Sequence, residues 1–269
     1  MLELVDTHCH LDFELFKSDL PRVVDAARRA GICAIINPAI NLESSRQIVA
    51  LAEKLDFVFA AVGVHPNDAL EWNQDTRQQL AELARHPKVV AVGEIGLDYY
   101  RDYAPRDMQR RIFEEQLSLA AENDLPVIIH NREATDDVLD ILAGYQATLK
   151  ESTPALAEKP GVMHSFSADT AAAQRAIDIQ FRIGITGPVT FKNAHSLRQV
   201  VREVPMQNLL IETDAPFLTP HPHRGERNEP AYVAFVAEKI AELKALTMTE
   251  IAKTTTQNAD RLFGWRAAG

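Results

Sequence analysis

Val89-Val90-Ala91-Val92-Gly93-Glu94 sets five small or apolar residues in a row and ends them with a carboxylate. The run is short for a helix, and it lacks the polar alternation of a strand wetted on one face. It fits a strand covered on both sides, as in a parallel sheet. A carboxylate at the end of such a strand cannot stay buried and unpaired, so a cation or hydrogen-bond donors must meet it.

The same arrangement recurs along the chain. Val5 and Asp6 lead to His8 and His10, residues 127–129 to His130, Val162 and Met163 to His164, and residues 209–212 to Asp214. Strand-like runs occupy residues 4–8, 33–38, 57–64, 89–95, 126–130, 162–165, 181–186 and 209–213. Helical periodicity fills residues 20–30, 42–54, 76–85, 109–123, 134–142, 170–179, 195–203 and 232–244. Gly31 is placed to stop the first helix and Asn41 to cap the second. Strand and helix alternate eight times, which predicts an α/β fold, a (β/α)8 TIM barrel, with residues 247–262 as an extra closing helix. The 269 residues are expected to form a single domain over 1–269. An open doubly wound sheet would spread the polar strand ends along an edge, whereas a barrel gathers them on its C-terminal face.

Six gathered residues are of metal-binding type: His8, His10, Glu94, His130, His164 and Asp214. His8 and His10 lie two apart on a strand, share a side, and can hold one ion through ring nitrogens. His130 and His164 end the fifth and sixth strands and supply a second imidazole pair. Glu94 ends the fourth strand between the pairs, and a carboxylate can bridge two ions with its two oxygens. Closure of the barrel brings Asp214 of the eighth strand beside the first, where it can bind an ion and accept a proton from water. Asp6 is expected to orient a histidine, and Glu212 to lie one layer below Asp214 as a support. His65, in Gly-Val-His-Pro, is read as a catalytic and substrate contact, with Arg132, Arg224 and Arg227 as phosphate clamps. His221 and His223 are separated by Pro222 in a loop, away from any strand end, and are read as unrelated to metal.

Composition narrows the partners. A formal net charge of −10 argues against a broad nucleic-acid groove but allows end-on contact with a strand terminus. No apolar run reaches the ~20 residues of a spanning helix, and residues 1–10 show no secretory leader. Two cysteines, Cys9 and Cys33, are too few for a disulfide framework and point to the cytoplasm.

Together these blocks resemble a family. Asp-Thr-His-Cys-His-Leu from Asp6, Gly-Val-His-Pro, Gly-Glu-Ile-Gly-Leu-Asp-Tyr-Tyr, Pro-Val-Ile-Ile-His-Asn-Arg, Glu-Thr-Asp-Ala-Pro-Phe-Leu, Arg-Asn-Glu-Pro and Asn-Ala-Asp-Arg-Leu-Phe-Gly are similar, in order, to the signature blocks of TatD-family proteins. The resemblance runs from Val5 to Gly264. It implies an amidohydrolase-like metal-dependent hydrolase with a (β/α)8 barrel, in which His8, His10, Glu94 and Asp214 bind one ion and Glu94, His130 and His164 the other. It further implies a deoxyribonuclease, a 3′–5′ exonuclease at DNA ends, using water activated by two divalent ions (zinc, magnesium or manganese). A monomer is expected. The residues alone leave open a hydrolase of small esters, amides or phosphoesters, an aminoacyl-tRNA deacylase, or a non-catalytic metal-binding protein.

Overall fold

Short apolar runs flanked by amphipathic helices can bury both faces only by forming one parallel sheet with helices outside it. The computed structural model, which describes residues 2–265, has this architecture. Its strands are β1 (Leu4–Asp6), β2 (Ile32–Pro38), β3 (Val58–Val62), β4 (Val89–Asp98), β5 (Val127–Arg132), β6 (Gly161–Met163), β7 (Arg182–Ile185) and β8 (Leu209–Ile211). They pair in chain order, every pair parallel. The ring closes between β8 and β1 through Thr7 N–H to Ile211 O at 3.2 Å, Asp214 N–H to His8 O at 2.8 Å and His10 N–H to Ala215 O at 2.8 Å. The expected (β/α)8 TIM barrel is therefore present.

Alternation along the strands divides the apolar residues into two layers. Val127, Ile129, Met163, Leu209 and Ile211 pack outward with the helices, whereas Ile128, Val162 and Leu210 join Val5, Ala34, Ile36 and Ala61 inside. Two residues beyond Ile128, Val162 and Leu210 come His130, His164 and Glu212, so period two carries the inner face from apolar floor to polar mouth. At the opposite end the helix Met248–Phe263 closes the barrel. It is capped by Thr247 and Glu250, and it buries Ala259, Leu262 and Phe263 against the inner layer, joined by Trp265 just past its end. Its Asn258 side chain donates to Met206 O at 2.8 Å and Leu209 O at 2.9 Å, and Thr256 Oγ1 donates to Glu3 O at 2.9 Å.

Several expectations change: β1 ends at Asp6 instead of His8, and the helix expected over 134–142 runs Thr135–Ser152. β4 runs three residues past the expected end at 95, to Asp98, and pairs Gly96 with His130 and Asp98 with Arg132. β8 stops at Ile211 because Thr213 turns to Asp6 instead of extending the ladder. Asp6 orients no imidazole ring: its carboxyl accepts from Thr213 N–H at 2.9 Å, Thr213 Oγ1 at 2.5 Å and His8 N–H at 3.3 Å, fastening the seam of the barrel. Burial there pushes the Asp6 carboxyl up to about 8.

Candidate metal centre

Glu94 is 4% exposed, and its two oxygens face different partners. Oε2 lies 3.4 Å from His8 Nε2 and 3.9 Å from His10 Nε2. Oε1 lies 2.7 Å from His130 Nδ1 and 3.9 Å from His164 Nε2. Asp214 Oδ1 stands on the cleft side of the cluster, 3.6 Å from His10 Nε2 and 3.8 Å from the Nε2 atoms of both His8 and His164. All six residues read from the sequence as metal-binding are thus brought into one cluster.

Hydrogen bonds behind the rings fix what they present. His10 Nδ1 is 3.2 Å from the Pro38 carbonyl, which can only accept, so the ring proton is there and Nε2 offers a lone pair. His164 Nδ1 donates to Glu212 Oε2 at 2.9 Å, and that oxygen also accepts Ser165 N–H at 2.9 Å. Glu212 Oε1 accepts from Thr7 Oγ1 at 3.2 Å. Glu212 is fully buried one step below Asp214, as expected, and aims His164. Lone pairs on His10 and His164 therefore face carboxylate oxygens of Glu94 and Asp214. Acceptors facing acceptors repel unless positive charge lies among them, so this donor set fits divalent cations.

Without an ion, protons take that role. Burial alone would lower His130 and His164, yet the charges of Glu94 and Glu212 and their hydrogen bonds raise each to about 9. Burial opposes ionisation of Glu94 and Asp214 too, but imidazole charge and hydrogen bonds hold both below the usual carboxylate range. His8 is lowered by burial and by the charge of His164, whose ring stacks on it at 3.3 Å between centroids.

His65 sits at the mouth and differs from the other rings. Its Nδ1 accepts the Asn67 N–H at 3.1 Å, which puts the ring hydrogen on Nε2, the atom 3.9 Å from Glu94 Oε1. The nitrogen turned to the site is then a donor, which suits substrate contact better than ligation. Burial and the charge of His130 push it down to about 3. Asp98, given no role from the sequence, accepts from the amides of Tyr100 and Arg101 at 3.0 and 2.9 Å and lies 3.4 Å from His130 Nε2. It shares the face of Glu94 at a spacing of four along β4, a signal the expected strand end at 95 concealed.

The cluster floors a cleft of about 750 Å³. Arg132 lines it, its guanidinium over the Tyr100 ring at 4.6 Å, and Arg101, Tyr103, Phe13 and Phe217 complete the rim. Tyr100, Tyr103 and Phe217 are large aromatics left exposed. Arg227 is not brought to this cleft: its guanidinium donates to Leu15 O, Asp19 and Glu229, and packs over Phe16. Arg224 lies in a neighbouring cleft, over Phe191. His223 stacks on Tyr232, and neither it nor His221 is in the cluster, as its loop position predicts.

Comparison with known proteins finds a family and several relatives. The sequence model of the TatD related DNase family matches residues 5–264. An uncharacterized metal-dependent hydrolase, YabD of Bacillus subtilis, is 45% identical over 97% of this chain and 98% of its own length. A 3′-5′ ssDNA/RNA exonuclease TatD of Erwinia amylovora is 35% identical over 97% of this chain and all of its own (100%). The crystal structure of YjjV, a TatD homolog from Escherichia coli, superposes with a TM-score of 0.89 at 35% identity, covering 97% of this chain and 98% of that one.

Proposed function

Because this chain belongs to the TatD related DNase family, we propose that it is a metal-dependent phosphodiesterase that removes nucleotides from the 3′ end of DNA. The observation that carries the proposal is the split of Glu94, one oxygen toward His8 and His10 and the other toward His130 and His164, beneath an open aromatic rim. His8, His10, Glu94 and Asp214 would hold one divalent ion and Glu94, His130 and His164 a second. Zinc, manganese or magnesium so held would supply Lewis acidity at the phosphoryl group and a water acidic enough to attack near neutral pH.

The chain's own groups do the rest. Asp214 reaches the cleft and is held ionised, so it takes the proton of the attacking water. His65, neutral with hydrogen on Nε2, donates to a phosphoryl oxygen, adding a hydrogen bond and no charge. Arg132 steadies the phosphate, and bases stack on the exposed rings of Tyr100, Tyr103 and Phe217. Asp98 behind His130, and Glu212 behind His164, keep both rings aimed. We take residues 1–269 as one catalytic domain acting as a monomer in the cytoplasm.

A small-ester hydrolase would use the same donor set. The rim favours the nuclease reading, since arginines interleaved with exposed tyrosines match a nucleotide better than an apolar acyl group. The test is digestion of single-stranded oligonucleotides labelled at the 5′ end, beside a panel of small esters. A ladder shortening from the 3′ end, abolished by chelator and by Asp214→Asn, is expected. Ester turnover with intact DNA would reject the nuclease reading.

A further inference from the structure

A second cleft, of about 560 Å³, is lined by Pro188, Phe191, Lys192, Asn193, Ala194, His221 and Arg224. Pro188 also lines the central cleft, so the two share a wall. Two loops run from one cleft to the other. The loop after β7 gives Thr186 and Pro188 to the central cleft and Phe191 and Lys192 to the second; the loop after β8 gives Asp214 and Leu218 to the first and His221 and Arg224 to the second.

The loops are fastened together. His221 N–H donates to Thr190 Oγ1 at 2.9 Å, and Gly187 leaves no room for a side chain, since a Cβ there would meet Leu218 O at 1.9 Å. Whatever occupies the second cleft therefore rests on a floor fixed relative to Asp214. The chain carries a formal net charge of −10, yet this cleft is lined by Lys192 and Arg224 and by no carboxylate. Among the described residues neither cation is in an ion pair. Arg224 is held over the Phe191 ring at 4.3 Å, and the His221 ring stands edge-on to Phe191 at 5.9 Å.

We propose that this cleft is a subsite for the polynucleotide strand whose end lies over the metal centre. It takes a nucleotide upstream of the cleaved bond, its phosphate on Lys192 and Arg224 and its base against the His221 and Phe191 rings. The proposal rests on the nuclease reading above. It adds that affinity depends on strand length, and that the Arg224 clamp acts on a different phosphate from the one cleaved. Continuity with the catalytic cleft favours a strand over a free anion, which would need no shared wall.

The test compares the parent with the double variant Lys192→Ala, Arg224→Ala, both side chains being exposed. The kcat and KM are measured on single-stranded DNA from two to twelve nucleotides, at several salt concentrations. The kcat/KM of the twelve-mer relative to the dinucleotide is expected to fall about tenfold in the variant, carried by KM. The slope of log KM against log salt should shrink by about 0.7 for each phosphate that the variant no longer neutralises. Lys192→Glu should deepen the effect. A length dependence and salt slope equal to the parent's would overturn the subsite while leaving the nuclease reading intact. A parent protein that neither binds nor shortens DNA would overturn that reading, and the subsite with it.

Discussion

Replacing Glu212 by glutamine changes no ligand and almost no volume, yet it should weaken metal binding on the side of His130 and His164. Glu212 is fully buried and its Oε2 accepts both His164 Nδ1–H and Ser165 N–H at 2.9 Å. The glutamine oxygen can take that place, and its amide can donate to Thr7 Oγ1, so geometry survives while the charge is removed. A hydrogen bond to a charged group is worth about 1.5–3 kcal/mol and a neutral one about 0.5–1.5, so roughly 1–2 kcal/mol of support for His164 disappears. That corresponds to about tenfold weaker affinity, the lower end of the roughly 10–100-fold range for groups placed behind metal ligands. Zinc affinity by competition with a chromophoric chelator at pH 7.5 measures it directly. One of two binding steps should weaken by about tenfold, with the other within about twofold. Two unchanged steps would refute the assignment of Glu212 as the group that aims His164. Glu212→Ala is less informative, because it also empties a buried space beside Gly184.

That neighbour gives a second expectation. A Cβ on Gly184 would lie 2.3 Å from Glu212 Oε1, so Gly184→Ala must displace the carboxylate and should weaken the same binding step without touching a ligand. In the metal-free protein, His130 and His164 stand at about 9 against an ordinary 6.5, a raised folded-state pKa. Their stabilisation is complete below pH 6.5 and is lost as pH rises through 9, so the Tm of chelator-treated protein should fall across that window. Added zinc binds deprotonated rings, so its stabilising effect should grow over the same range; parallel melting curves with and without metal would contradict this. Asn258→Ala removes two side-chain hydrogen bonds, to Met206 O and Leu209 O, at the closed end of the barrel (Met206 O keeps its bond from Leu209 N–H) and should cost about 1–3 kcal/mol by urea denaturation. Metal affinity should stay at the parent's value, because the helix lies at the opposite end from the site.

The candidate metal site was legible because period two and strand ends are sequence properties: His130 and His164 stand two residues past Ile128 and Val162, which already belong to the inner layer. Glu212 followed by the same arithmetic from Asp214. Asp98 was hidden because Gly96 reads as a turn. In the barrel Gly96 instead continues β4, with φ at +143° and its missing Cβ filled by the His130 carbonyl, where a side chain would come within 2.0 Å. Gly93 likewise yields space to Ile128 of the neighbouring strand. The roles of Asp6 and Arg227 depend on partners some two hundred positions away, Thr213 for one and Asp19 for the other. No local pattern encodes such pairings. Arginine-rich loops look alike in sequence whether their charges are spent internally, as in Arg227, or kept open, as in Arg224.

Counting the divalent ions bound per chain tests the bridge itself, because the division of Glu94 between two imidazole pairs has a purpose only if each pair holds an ion. Equilibrium dialysis against zinc or manganese, followed by elemental analysis, should give two ions per chain for the parent, and fewer than two for Glu94→Gln at the same free metal. A parent that saturates at a single ion, or a Glu94→Gln variant that still binds two as tightly, would contradict the bridged centre.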